Sequence, residues 1–148
     1  MRYVKGISLL EMTLVVAVAA AITIASLHFY RRSKDRSAVL QATAQIQRLV
    51  RASEEWEAAQ RLPDLSSQSE NLITQWVEAG LLEADDSNNP WGGGVSVTGD
   101  SDGRVVVRLE SIPESSCQIL ISHFKTSASA NDFTCSGKGE GETWEGRF

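Results

Sequence analysis

From Ile7 to Leu62 the chain contains neither glycine nor proline. With no helix breaker over that length, the backbone is free to run as one helix of roughly 50 residues, ~80 Å long at 1.5 Å per residue. The first part of the run is apolar all round. From Met12 to Tyr30 there is no Asp, Glu, Lys or Arg. That is close to the ~20 residues a helix needs to cross a ~30 Å hydrocarbon layer. Arg2 and Lys5 precede the run, and Arg31, Arg32, Lys34 and Arg36 follow it. One acid, Glu11, sits just inside its start. An ionised side chain in a membrane helix costs ~2.5–3.5 kcal/mol on insertion scales, so such a residue is a functional candidate and calls for a partner. The run itself supplies none, and Lys5 lies nearly two helical turns back.

A secretory signal peptide has an apolar core of ~7–15 residues followed by a small-residue cleavage site. Here the apolar stretch is longer, carries an acid, and passes without a break into an amphipathic segment. The stretch Lys5-Gly6-Ile7-Ser8-Leu9-Leu10-Glu11-Met12 resembles the processing site of type IV prepilins. The resemblance implies that a membrane aspartic protease, the prepilin peptidase, cuts between Gly6 and Ile7. Ile7 then becomes the N-methylated first residue, and Glu11 is kept as the fifth. It further implies that Glu11 pairs in a filament with the amine of Ile7 on a neighbouring subunit. Such a pair offsets much of the desolvation of both charges. The implied partners are further copies of the chain and other pilins, the peptidase, the assembly ATPase and platform, and the inner membrane before assembly. No cofactor is implied. The alternative reading of the same residues is a plain signal anchor with an incidental acid.

At 148 residues the chain has room for one domain and a membrane segment. The expected division is a leader at 1–6, a transmembrane or filament-core helix at 7–30, the amphipathic second half of that helix at 31–62, and a head at 63–148. A head of that size has a thin core and leans on the helix and on a staple. The formal net charge is -5, and removal of Arg2 and Lys5 leaves 12 basic against 19 acidic residues. That balance argues against a nucleic-acid partner for the monomer. The short basic leader places the N-terminus in the cytoplasm. The four basic residues after the run oppose that orientation by count, and the processing motif decides for it. The head is then expected in the periplasm and later outside the cell on a pilus, or fimbrium. In an oxidising compartment the two cysteines, Cys117 and Cys135, are expected to form a disulfide. A ring of that length is worth ~3 kcal/mol in the loop-entropy model. The alternative is a pair of reduced, buried thiols.

Along the chain, the membrane run is rich in small and β-branched residues: Ala17, Ala19, Ala20, Ala21 and Ala25 among Val15, Val16, Val18, Ile22 and Ile24. Small residues allow close helix packing in lipid. The following segment changes to helical spacing, with Val39, Ala42, Ile46, Leu49, Val50 and Trp56 as the stripe facing the head. Leu62-Pro63 ends the helix, because the residue before proline is pushed out of the α region. Ser67 and Glu70 read as a capping box for a short helix through Leu72, Ile73, Trp76 and Val77. That helix stops at Ala79-Gly80, after which Leu81 and Leu82 pack back on the core. Asp85, Asp86 and Asn88 can be read as a cation site, but the spacing lacks the glycine and terminal glutamate of an EF-hand. A solvated acidic loop is the favoured reading. Val95-Ser96-Val97 and Arg104–Leu109 read as strands joined through Gly99–Gly103. Gly92-Gly93-Gly94 lacks the Lys-Ser/Thr ending of a phosphate loop. Ser115-Ser116 cap a helix from about Cys117 to Lys125, with a strand over 118–121 as the alternative. Residues 132–135 read as a last short strand, followed by a tail whose anchors are Trp144 and Phe148.

The expected fold class is α+β and pilin-like: a long N-terminal helix packed on a small antiparallel sheet with one disulfide. Asn89-Pro90-Trp91-Gly92-Gly93 and Ile112-Pro113-x-x-x-Cys117 are similar to segments in type IVb pilin heads. The short leader is similar to type IVa, whereas Ile7 stands where Phe is usual, and the long helix lacks the proline of many pilin arms. His28 and His123 have no Cys or carboxylate at metal spacing, so no metal site is expected. No nucleophile–base arrangement carries a supporting motif, so no enzyme is expected. The reading is a polymerising structural subunit. A minor pilin or a type II secretion pseudopilin shares the N-terminal signal, and the Cys117/Cys135 pair tilts the choice to a pilin. A signal-anchored periplasmic binding domain is the rival from another class.

Overall fold

The computed structural model describes residues 9–62, 64–125, 132–137 and 141–148, with backbone alone at 31 and 32. Helix α1 spans Leu9–Gln60, and α2 spans Ile73–Glu78. A 3-10 turn covers Ala84–Ser87. Strands β1 (Val95–Gly99) and β2 (Val105–Ile112) follow, then α3 (Glu114–Phe124), β3 (Phe133–Ser136) and β4 (Glu142–Arg147). Contacts divide the chain into two units, Met1–Arg36 and Ser37–Phe148.

In the first unit, α1 carries a window of 18 residues with mean hydropathy 2.1, none of it buried. By length and composition it is able to cross a membrane. At its other end α1 stops at Gln60, two residues before the expected Leu62. Arg61 adopts φ 55, and the Leu62 N–H donates to the Glu57 carbonyl at 3.0 Å. This is a left-handed helix cap with a six-to-one bond, formed ahead of Pro63. The Glu57 carboxyl beside it is raised above its usual range by partial burial, then by the charges of Asp64 and Glu54.

In the second unit, α1 buries Val39, Ala42, Ile46, Leu49 and Ala52 against the sheet. Val50 and Trp56, expected in the same stripe, are only partly buried. The sheet is antiparallel throughout in the order β1-β2-β4-β3. The expectation that residues 132–135 form the last strand is therefore corrected, while Trp144 and Phe148 do anchor the tail as expected. The tail supplies β4, a central strand. Its inward positions are Trp144 and Gly146, and its outward ones are Thr143, Glu145 and Arg147. A side chain at Gly146 would overlap the rings of Trp144 and Phe133. Glycine there leaves space for the cluster of Phe124, Phe133, Trp144 and Phe148, whose ring centroids lie 5.4 to 6.4 Å apart.

Strand β2 runs three residues past the expected Leu109. Its register against β4 shifts between Leu109↔Trp144 and Ile112↔Glu142, and Ser111 sits at φ 56. An extra residue in a bulge turns the following side chain back to the same face. Leu109 and Ile112 are thus both buried, although period-two alternation would put Ile112 outside.

Two capping expectations are corrected. Ser67 and Glu70 make no capping box for α2, whose N-cap is Leu72 without a side-chain cap bond. Asn71 does the local work instead: its Oδ1 accepts the N–H of Ile73 at 3.3 Å and of Val97 at 3.0 Å. With Leu72 N–H on the Val97 carbonyl and Gly99 N–H on the Gln68 carbonyl, residues 68–72 cover the outer edge of β1. Covering an edge strand in this way blunts strand addition. Helix α3 starts at Glu114 after Pro113, so Ser115 and Ser116 lie in its first turn and do not cap it. The helix, not the strand, is the conformation of residues 118–121. Cys117 and Cys135 are disulfide-bonded with Cα atoms 6.2 Å apart, tying the first turn of α3 to edge strand β3.

Because Trp144 is a fully buried residue of a central strand, Trp144→Ala should destabilise the head by about 3–5 kcal/mol. Urea unfolding checks this; a loss below ~1 kcal/mol would place the C-terminal segment at the periphery of the core.

Candidate functional site

The feature of this molecule that lacks a local explanation is the N-terminal part of α1. Every described side chain from Leu9 to Tyr30 is exposed, including Leu9, Leu10, Met12, Leu14, Val15, Val16, Val18, Ile22, Ile24, Leu27 and Phe29. Exposed apolar surface on this scale marks a membrane or protein contact. The hydroxyls in the segment suit such surroundings. Thr13, Thr23 and Ser26 each donate to a carbonyl of their own helix, those of Leu10, Ala19 and Ile22, at 2.8 to 2.9 Å. Glu11 differs. It lies in the first turn of α1, where the helix dipole favours an anion. Among the described residues nothing bonds to its carboxylate. Gly6 and Ile7, the expected cleavage and methylation positions, lie outside the described residues.

The other candidates fall elsewhere. His28 is an exposed residue of the apolar segment. His123 is an exposed residue near the end of α3, edge-on to Phe124 at 5.3 Å. Within the Asp85–Asn88 segment Asp85 and Asn88 are exposed, as expected of a solvated loop, but Asp86 is not. Asp86 is 7% exposed. Its Oδ1 accepts from Arg48 Nη2 at 2.6 Å, and its Oδ2 from the Glu83 N–H at 3.2 Å. Gln45, also buried, donates its Nε2 to the carbonyls of Asp86 and Asn88 at 3.0 and 2.9 Å. These groups line an open cleft of about 430 Å³ with Glu83, Asp85 and Asn89. Chemically, the arrangement is a latch that holds the 3-10 turn on α1. Both Asp86 oxygens accept from protein donors.

A second polar assembly lies on the outward face of the sheet. Arg108 and Arg147 both reach Glu145, at 2.7 and 3.2 Å, and Arg147 also approaches Asp100 at 3.6 Å. Arg104 meets Asp132 at 2.9 Å and Asp102 at 3.3 Å. The Asp102 N–H and the two arginines hold the Asp100 carboxyl below its usual range, while Asp132 raises Arg104. These pairs join the β1–β2 turn to β3 and β4. Sequence reasoning missed them, because β4 was not recognised and its Glu145 and Arg147 had no assigned neighbours. A polar alternation over 142–147 was the available signal.

No protein-family model matches the chain, and no curated protein matches it. What the fold establishes is coarser than a family. It is an α+β head with one disulfide, on a chain whose N-terminal helix is long and apolar enough to span a bilayer.

If the latch is structural, Asp86→Ala should lower stability by about 1–3 kcal/mol, since a buried charged hydrogen bond is lost. Arg48→Ala should cost at least as much, because it leaves the Asp86 carboxylate, whose side chain is 9% exposed, without its cation, whereas in Asp86→Ala the 60% exposed arginine regains water. Chemical unfolding of both variants checks the order; a negligible loss for Arg48→Ala would contradict it.

Proposed function

We propose that the chain is a prepilin-like structural subunit of a type IV pilus. In this reading the prepilin peptidase removes residues 1–6, Ile7 is methylated, and the apolar segment holds the subunit in the inner membrane with its head in the periplasm. Polymerisation transfers that segment from lipid into a bundle of equivalent helices, driven by the assembly ATPase and platform. The carrying observation is Glu11: one acid in an otherwise uncharged apolar segment, five positions after the Gly6-Ile7 junction, without a partner among the described residues. The chemistry of the pairing is simple. A freed, methylated α-amine keeps its positive charge, and a carboxylate on a sister chain meets it where water is excluded. Each charge offsets much of the other's desolvation cost. A subunit without its partner leaves Glu11 in lipid, so docking is favoured in one register. The helix that can span a bilayer, the exposed apolar surface on every face and the disulfide-bonded head are compatible with this role. The disulfide is also the feature that favours a pilin over a type II secretion pseudopilin.

The test is Glu11→Ala in the native host. Membrane insertion, read by fractionation, should be unchanged, while sheared surface filaments should fall at least about tenfold, the equivalent of ~1.4 kcal/mol in docking. Undiminished filaments would remove the docking role. Gly6→Leu should leave the precursor at full mass on a gel.

A further inference from the structure

One carboxylate in the head is held against the disulfide. Glu142, the first residue of β4, lies on the same strand face as Trp144, turned towards the disulfide. Its Oε2 is out of the reach of solvent and has no hydrogen-bond partner. Buried polar atoms in native folds are nearly always paired, so an orphan carboxylate oxygen asks for an ion or a redox role. A carboxylate oxygen of Glu142 and the Sγ atoms of Cys117 and Cys135 all lie within 4.8 Å of one another. In the oxidised protein the sulfurs are committed to each other. In the reduced protein they are not.

We infer that, once the Cys117–Cys135 bond is reduced, the two thiolates and the Glu142 carboxylate form a site for a soft divalent cation of the zinc class. The step balances. An external dithiol is oxidised to its disulfide and delivers two electrons and two protons to the sulfurs; the cation then displaces both thiol protons. The geometry is within reach. Zinc–sulfur bonds of ~2.3 Å and zinc–oxygen bonds of ~2.0–2.2 Å at tetrahedral angles put the donor atoms ~3.5–3.8 Å apart. In the oxidised chain the sulfurs are held together by their own bond, and a Glu142 oxygen lies within 4.8 Å of both; once the bond opens, the sulfurs have to part to that spacing, from Cα atoms 6.2 Å apart. The positions come from α3, β3 and β4, so a bound ion would replace the covalent staple by a coordinate one across the same elements. Two thiolates select zinc over calcium or magnesium, and three protein ligands leave the fourth position to water. The inference is independent of the role assigned to Glu11.

The experiment uses the full chain in detergent, reduced with a phosphine, and titrated with Co²⁺ as a spectroscopic probe and with Zn²⁺. The reduced wild type should take one equivalent of Co²⁺ with a thiolate charge-transfer band, which Zn²⁺ displaces. Its melting temperature should rise with Zn²⁺ and fall again with a chelator, because metal binding is linked to folding. The oxidised chain should show neither effect. Glu142→Gln, first checked to be folded in the oxidised form, should bind at least about tenfold more weakly. Should Glu142→Gln not fold, Glu142→Asp, which keeps the carboxylate on a shorter stem, should show the same direction of loss. Cys135→Ser should abolish the band. A reduced wild type with no band and no zinc-dependent rise in melting temperature overturns the inference. So does undiminished affinity when the Glu142 position is changed.

Discussion

An apolar helical segment that nothing in its own chain buries is the constraint on which the account of this molecule rests. Between Leu9 and Tyr30 every described side chain is exposed, and large aliphatic residues point in all directions around the helix. Water is a poor solvent for such a surface, at about 25 cal/mol per Å², and by length and composition the helix is able to cross a bilayer. Within that segment the hydroxyls of Thr13, Thr23 and Ser26 are satisfied by carbonyls of their own helix. Glu11 is its one acid, and its carboxylate has no partner among the described residues. In the proposed reading, the energetic mismatch between this carboxylate and its apolar flanks is what would make the segment a docking element. A plain anchor gains nothing from an acid there, whereas an assembling helix would gain a register.

The head solves a different problem, that of a small core. It recruits the amphipathic part of α1 from Val39 to Ala52 as one wall and closes the opposite side with an aromatic cluster built on β4. Covalent and ionic ties then secure the parts least supported by burial. The disulfide holds edge strand β3 to α3, the Arg48–Asp86 latch holds the 3-10 turn to α1, and the arginine pairs hold the β1–β2 turn to β3 and β4. Domains of this size commonly need such staples because their surface is large relative to their interior.

Much of this was legible in the amino-acid order. The absence of glycine and proline from Ile7 to Leu62 announced the long helix, and the switch from uniform apolarity to spaced Val39, Ala42, Ile46 and Leu49 announced where it meets a core. Two cysteines in a single head announced the bond between them. The losses have physical causes. β4 was hidden because, of Glu142, Trp144 and Gly146 on its inward side, only Trp144 is a large apolar residue, so the alternation that marks a strand is weak. Ile112 was hidden by a bulge at Ser111, which moves it to a face that period two denies it. The Asp85–Asn88 segment reads as solvated from composition alone, since the donors that bury Asp86 come from Gln45 and Arg48, about forty positions earlier in the chain. The candidate residue Glu11 was legible from charge alone, and Glu142 was not, because its significance comes only from the proximity of two sulfurs.

The central claim is that the acid at position 11 is matched by an amine that exists only after the chain is cut. Intact-mass and N-terminal fragment spectrometry of the protein taken from its native membrane addresses this most directly. The account predicts a first residue at Ile7 carrying one added methyl group. A chain that still begins at Met1, or that is cut after the apolar segment, would contradict it.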